Sequence, residues 1–115
     1  MARRPPTRRH ERIGEAIKRT LMKLKGEGAL DSISAAQYSF TEVRPTTGYE
    51  AAVVFVSALD QGEQDSVVAA LNARAAEVRY ALAGASRLRT TPELKFKSDA
   101  SDAYAARIDE LLAKE

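Results

Sequence analysis

The stretch Arg79-Tyr80-Ala81-Leu82-Ala83-Gly84-Ala85-Ser86-Arg87-Leu88-Arg89-Thr90-Thr91-Pro92-Glu93-Leu94-Lys95-Phe96-Lys97-Ser98-Asp99 carries a helix end, a break and a strand in sequence. Its first residues complete an apolar stripe, Val67, Leu71, Ala75, Val78 and Leu82, that recurs at helical spacing and stops at Gly84. Thr90-Thr91-Pro92 then interrupts the chain. In Glu93–Ser98, Leu94 and Phe96 alternate with charged residues, the pattern of a short strand with one buried face. Between helix and strand, Arg87 and Arg89 are two residues apart in an extended stretch. They are therefore predicted to point the same way, with Leu88 turned inward.

Upstream, no Gly or Pro interrupts the chain between Glu63 and Ala83. That segment is either one long helix or two helices meeting at a bend near Arg74-Ala75-Ala76. Asp60-Gln61-Gly62-Glu63 has the form of a capping box at its start. Two strands are predicted before it, over Ser34–Val43, where Tyr38 and Phe40 alternate, and over Tyr49–Ala58, apolar on both faces like a central strand. Arg44-Pro45-Thr46-Thr47-Gly48 supplies the turn chemistry of a hairpin. A first helix starts near Thr7, runs on Ile13, Ile17, Leu21 and Leu24, and stops at Gly26-Glu27-Gly28. Downstream, Asp99–Ser101 can cap a last helix with the stripe Tyr104, Ile108, Leu111 and Leu112. The expected architecture is α+β: a three-stranded sheet with helices on one face, plus a C-terminal helix. Residues 1–6 are expected to be a flexible basic arm, because Pro5-Pro6 blocks a helix, and residues 7–115 a single domain.

The 115 residues, 44% hydrophobic and 30% charged, suit one globular domain. No apolar run approaches the roughly 20 residues of a membrane span, and the N-terminus lacks the apolar stretch of a signal peptide. No membrane role and a cytoplasmic location are therefore expected. The absence of cysteine excludes disulfides, thiol nucleophiles and thiolate metal sites. The one histidine, His10, lies among arginines, the carboxylates are scattered at helix starts and surfaces, and no glycine pattern matches a phosphate loop. Neither catalysis nor a cofactor, metal or small-molecule substrate is expected.

Charge is more informative than its net value of +2. Residues 1–25 hold nine Lys and Arg against Glu11 and Glu15, a local balance of +7, while the rest of the chain carries −5. Inside that acidic remainder lies a second basic block: Arg74, Arg79, Arg87, Arg89, Lys95 and Lys97 against Glu77 and Glu93. Two such blocks suggest one positive face, which serves solubility or attracts a polyanion, nucleic acid being the commonest.

The stretch quoted at the outset resembles the signature of ribosome-binding factor A, a bacterial maturation factor of the small ribosomal subunit. Its elements are an Arg late in a helix (Val78-Arg79), Leu88-Arg89, Pro92-Glu93-Leu94, the aromatic strand at Phe96, and Asp99. The Arg-rich opening helix and the Tyr49–Ser57 strand also fall where that family has them, so the resemblance spans roughly residues 8 to 112. It implies a KH-like fold of the second type, binding to small subunits or their precursors and to rRNA, late rRNA processing, importance in the cold, and no enzymatic activity. Ordinary KH domains clamp RNA with a Gly-x-x-Gly loop. This chain has none, and where the family has a kink of the Ala-x-Gly kind it has Arg74-Ala75-Ala76, so a shallower bend is expected. The Asp usual in the family's hairpin loop is replaced by Arg44-Pro45-Thr46.

The expected function is electrostatic docking of a monomer on rRNA phosphates. The candidate RNA-binding residues are Arg8, Arg9, Arg12, Lys18, Arg19, Arg74, Ala75, Ala76, Arg79, Arg87 and Arg89. For Arg79, Arg87 and Arg89 the structural alternative is pairing with Glu77, Glu93 or Asp99; for Lys95 and Lys97 it is the exposed side of an edge strand. Two other functions use the same fold. A protein-interaction module would engage the last helix or the sheet edge, but has no use for the basic N-terminus. A general single-stranded RNA binder needs stacking aromatics, which only Tyr49, Tyr80 and Tyr104 could supply.

Overall fold

In the computed structural model, residues 8–99 are described; the expected basic arm and last helix lie outside them. Helix α1 (Arg8–Gly26) buries Gly14, Ile17, Leu21 and Leu24 along one stripe. It ends in a Schellman motif: Gly28 adopts a left-handed φ of 84°, the Ala29 N–H donates to Leu24 O at 3.0 Å, and the Gly28 N–H donates to Lys25 O at 3.1 Å. Gly14 is required by proximity rather than by φ. A Cβ there would lie 2.4 Å from the Val43 carbonyl oxygen, so α1 rests directly on backbone of the sheet.

Strands β1 (Tyr38–Pro45) and β2 (Ala51–Ala58) form the antiparallel hairpin, and β3 (Glu93–Ser98) adds parallel to β2, giving the order β1-β2-β3. A register shift between Phe40 and Glu42 bends β1, and the Thr41 hydroxyl donates to Phe55 O beside it. β1 starts four residues later than expected because residues 29–37 complete the turn out of α1, with Ile33 N–H donating to Leu30 O and Ala36 N–H to the Ser34 hydroxyl. β2 starts two residues later than expected because Tyr49 belongs to the hairpin loop, at a φ of 60°.

The segment after β2 is two helices. A single 3₁₀ turn (Gln61–Glu63), with Asp60 accepting from the Gly62 N–H, precedes α2 (Gln64–Ala73) and α3 (Ala75–Ala85). Only half of the expected capping box forms, since Glu63 makes no side-chain cap bond. The two helices part at Arg74, whose φ of −119° and ψ of 27° leave the helical region without a glycine.

The three described α-helices lie on one face of the sheet. The core joins Ile17, Leu21 and Leu24 of α1 to Phe40, Val54, Val56, Leu94 and Phe96 of the sheet and to Val67, Leu71, Val78 and Leu82 of α2 and α3. Two amides fasten the layers. Buried Gln64 accepts from Ala58 N–H at 2.7 Å and donates to Val56 O at 2.6 Å and to the Ser98 hydroxyl at 2.7 Å. Asn72 pairs with both the N–H and the C=O of Phe96, each at 2.8 Å, occupying the free edge of β3 as a neighbouring strand would. None of the described helices is long and apolar enough to cross a membrane.

Candidate nucleic-acid interface

Helix α1 has a cationic side because its apolar stripe leaves the opposite face free. Arg8, Arg12, Arg19 and Lys23, at steps of four, seven and four, fall on one outer row of the helix and are all exposed, with exposed Glu15 on the turn between Arg12 and Arg19. Lys18 is half-buried and off this row. Lys23 was not among the residues singled out from sequence, although its spacing from Arg19 placed it on the same row.

Backbone pairing brings the N-terminal end of this row to the residues before β3. The His10 ring stacks on Tyr49 of the hairpin loop with centroids 4.6 Å apart, and the Arg9 guanidinium lies 5.6 Å from the same tyrosine ring. The Glu93 N–H donates to Glu50 O at 3.0 Å, so residues 86–92 arrive at that same hairpin end. Arg8, Arg9, Arg12, Arg87 and Arg89 therefore share one end of the molecule. Ser86 is extended, Arg87 and Arg89 are exposed, and Leu88 between them packs against the core, the predicted alternation. Among the described residues, neither Arg87 nor Arg89 has a hydrogen bond or an ion pair.

Arg74, Ala75 and Ala76 lie at the other end. The Arg74 guanidinium donates to Ser32 O at 2.7 Å and twice to the Glu77 carboxylate, at 2.9 and 2.6 Å, holding the helix junction to the loop after α1. The hydrogen bond, with Coulomb attraction adding to it, holds the Glu77 carboxyl below and the Arg74 guanidinium above their ordinary ranges. Ala75 packs against the core, whereas Ala76 is exposed. Arg79 donates from Nε and Nη2 to Thr91 O, at 3.2 and 2.9 Å, tying α3 to the loop that enters β3. Sequence reasoning weighed carboxylate partners for Arg79; its partner is a backbone carbonyl, which no residue pattern announces.

Two more cations cover aromatic rings. Lys25 Nζ lies 5.1 Å from the centroid of Tyr38, and Arg44, paired with Glu42, lies 5.5 Å from that of Phe55. Burial, and secondarily the charge of Asp31, pushes the Tyr38 phenol above its ordinary range. Of the four aromatics expected in the core, Tyr38, Phe40 and Phe96 are buried there, whereas Phe55 is half-buried, because its place in β2 turns it to the sheet face away from the helices; Tyr80 is 85% exposed. No cluster of three or more His, Asp or Glu among the described residues could hold a metal ion.

A family model for ribosome-binding factor A matches residues 9–112. The chain belongs to the ribosome-binding factor A family. A curated member from Gemmatimonas aurantiaca is 39% identical over 108 residues, covering 93% of this chain and 74% of that protein. The solution structure of a putative ribosome-binding factor A from Thermotoga maritima superposes with a TM-score of 0.65 at 24% identity, over 81% of this chain and 89% of that one. A Thermus thermophilus ribosome-binding factor A, fitted as a homology model into a cryo-EM map of its 30S complex, superposes with a TM-score of 0.56 at 18% identity, over 82% and 94% of the two chains. These likenesses identify the α+β, KH-like fold expected from the sequence.

Proposed function

We propose that this chain is a non-catalytic maturation factor that binds the small ribosomal subunit and its precursors through rRNA phosphates. Membership in a family named for ribosome binding supports the partner, as does the 30S complex of the Thermus thermophilus relative. The observation that carries the mode of binding is the convergence of arginines that have no hydrogen bond or ion pair among the described residues. The outer row of α1 from Arg8 to Lys23, about 22 Å long at ~1.5 Å per residue, runs to the hairpin end, where Arg87 and Arg89 project from the chain before β3. Guanidiniums without a protein partner can grip phosphate oxygens in pairs, and their positive field steers the encounter.

Arg8, Arg12, Arg19, Arg87 and Arg89 make the phosphate contacts, with Arg9 beside them on Tyr49. Arg74 and Arg79 act mainly through the fold, since their donors are engaged. Selectivity comes from the shape of folded RNA, as there is no Gly-x-x-Gly clamp for a single strand. The protein works as a cytoplasmic monomer without cofactor or small-molecule substrate. Co-sedimentation of tagged protein with small subunits, their precursors and free rRNA tests this reading. Binding to the subunit or its precursor, weakening steeply with salt, is expected; absence from those fractions at low salt overturns it.

A further inference from the structure

The three tyrosines able to stack on a base differ in what the fold leaves them. Tyr104 lies outside the described residues, and the Tyr49 ring is already stacked on His10. Tyr80 stands in the middle of α3, 85% exposed, with no hydrogen bond or ring contact among the described residues. A single exposed ring is ordinary on a protein surface. The surroundings of this one are not.

Positions 76, 77, 83 and 84, one turn away on either side, share its face of the helix. Ala76, Ala83 and Gly84 are small and exposed, so no long side chain rises beside the ring from them. Glu77 would repel a polyanion, but its carboxylate is taken by Arg74, at 2.9 and 2.6 Å. Gly84 is an independent sign. Its φ is not left-handed, and a Cβ there would meet nothing within 4 Å, so neither backbone nor packing requires a glycine. Glycine disfavours a helix relative to alanine; what it supplies is a surface that another molecule can approach closely. Beyond it the chain reaches Arg87, exposed and with no hydrogen bond or ion pair among the described residues. Tyr80 to Ala85 spans about 7.5 Å of helix axis at ~1.5 Å per residue, so the ring lies close to the stretch that carries Arg87 and Arg89.

We propose that Tyr80 stacks on an unpaired base of the rRNA whose phosphates Arg87 and Arg89 hold. This rests on the phosphate-binding reading above and adds a base contact to it. A π-face accepts any base, so the ring separates unpaired from paired RNA rather than one sequence from another. A protein partner fits the position less well. Interface anchors sit among groups that pack around them and exclude water, whereas Tyr80 rises from small residues and a paired carboxylate.

The chain has no tryptophan, so Tyr80→Trp in the full-length protein places a single indole at this position. On titration with small ribosomal subunits its emission is expected to be quenched without a blue shift, in step with co-sedimentation. Tyr80→Ala should weaken subunit binding at least about fivefold, while its salt slope and Tm stay those of the wild type. Tyr80→Phe, which keeps the ring, should restore binding. Unchanged emission from a subunit-bound Tyr80→Trp variant, or full affinity in Tyr80→Ala, overturns the proposal and leaves the phosphate reading standing. A blue shift overturns it in favour of contact with a ribosomal protein. Tyr80→Trp or Tyr80→Phe binding as weakly as Tyr80→Ala overturns it as well, since the ring face would then not be what binds. If the wild type does not sediment with subunits at low salt, both readings fall.

Discussion

Four arginines lie between residues 74 and 89, and the fold uses them in two different ways. Arg74 and Arg79 sit on the helical segment and spend their donors on Ser32 O, Glu77 and Thr91 O. Arg87 and Arg89 follow the helix end and have no hydrogen bond or ion pair among the described residues. In sequence the four look alike. The difference is local backbone: side chains at helix junctions and flanks meet carbonyls of adjoining loops, whereas an extended stretch with Leu88 turned inward directs its alternate residues to solvent. A basic block is therefore not a binding site by composition; only its partner-free members are available to phosphate.

The sharpest break of that comparison is the double variant Arg87→Gln/Arg89→Gln. Binding to small subunits is expected to fall at least tenfold, about 1.4 kcal/mol, while Tm stays within a few degrees, because exposed substitutions usually cost under about 0.5 kcal/mol each. Each lost phosphate contact should also flatten the plot of log affinity against log salt by about 0.7–0.9, so the double variant loses between one and two units of slope. Normal binding by a folded double variant would move the interface to α1 alone, and unfolding would make the pair structural.

Arg79→Gln should behave in the opposite way. It removes the tie to Thr91 O, a hydrogen bond from a charged group at an exposed position, worth about 1 kcal/mol. Tm should fall by about 5 °C, with subunit affinity unchanged at temperatures where the protein is folded. A large affinity loss at unchanged Tm would return Arg79 to the phosphate-binding group.

How much of this was legible follows from the kind of force involved. Apolar periodicity placed the described helical and strand segments, though it left open whether the one after β2 was a single helix or two, because burial repeats with the period of the backbone: Ile17, Leu21 and Leu24 on one helix stripe, Leu94 and Phe96 on one strand face. The contacts made by single polar groups left no period to read. Gln64 and Asn72 look like ordinary helix-surface residues, yet they join α2 to β2 and β3. Tyr49 read as the first residue of a strand, but its ring stacks on His10 with the Arg9 guanidinium also near it, and its backbone is turned to a φ of 60°. Of the candidate site, the alternation Arg87-Leu88-Arg89 was legible and the capture of Arg74 and Arg79 was not, since their acceptors, Ser32 O and Thr91 O, are distant backbone carbonyls.

A smaller effect probes the helix junction. The break falls at Arg74 with no glycine present, so the bend is held by tertiary bonds rather than by a permissive residue. Ala76, exposed in the first turn of α3, should tolerate Ala76→Gly at a cost of about 0.5–1 kcal/mol. A loss of several kcal/mol by denaturant titration would show that the methyl group packs against something and that the junction is less open than its exposure indicates.

The smallest expected effect tests the Arg74–Glu77 pair by pH. The hydrogen bond from Arg74, opposed by desolvation and reinforced by the Arg74 charge, holds the folded-state Glu77 carboxyl below its ordinary range. A carboxyl that binds its proton less readily in the folded state than in the unfolded one stabilises the fold at pH values above that range. The contribution disappears as pH falls through the folded-state value. Arg74 stays charged throughout, because its shift is upward from an already alkaline value. Gln and Glu have similar helix propensities, so the Tm difference between wild type and Glu77→Gln isolates the charge. That difference should favour the wild type at neutral pH and close in acid. It should be small even at its largest, as both side chains are exposed and salt screens them. A difference that persists unchanged at acid pH would mean that Glu77 acts by shape, leaving the Ser32 carbonyl as the sole reason that Arg74 is held at the junction.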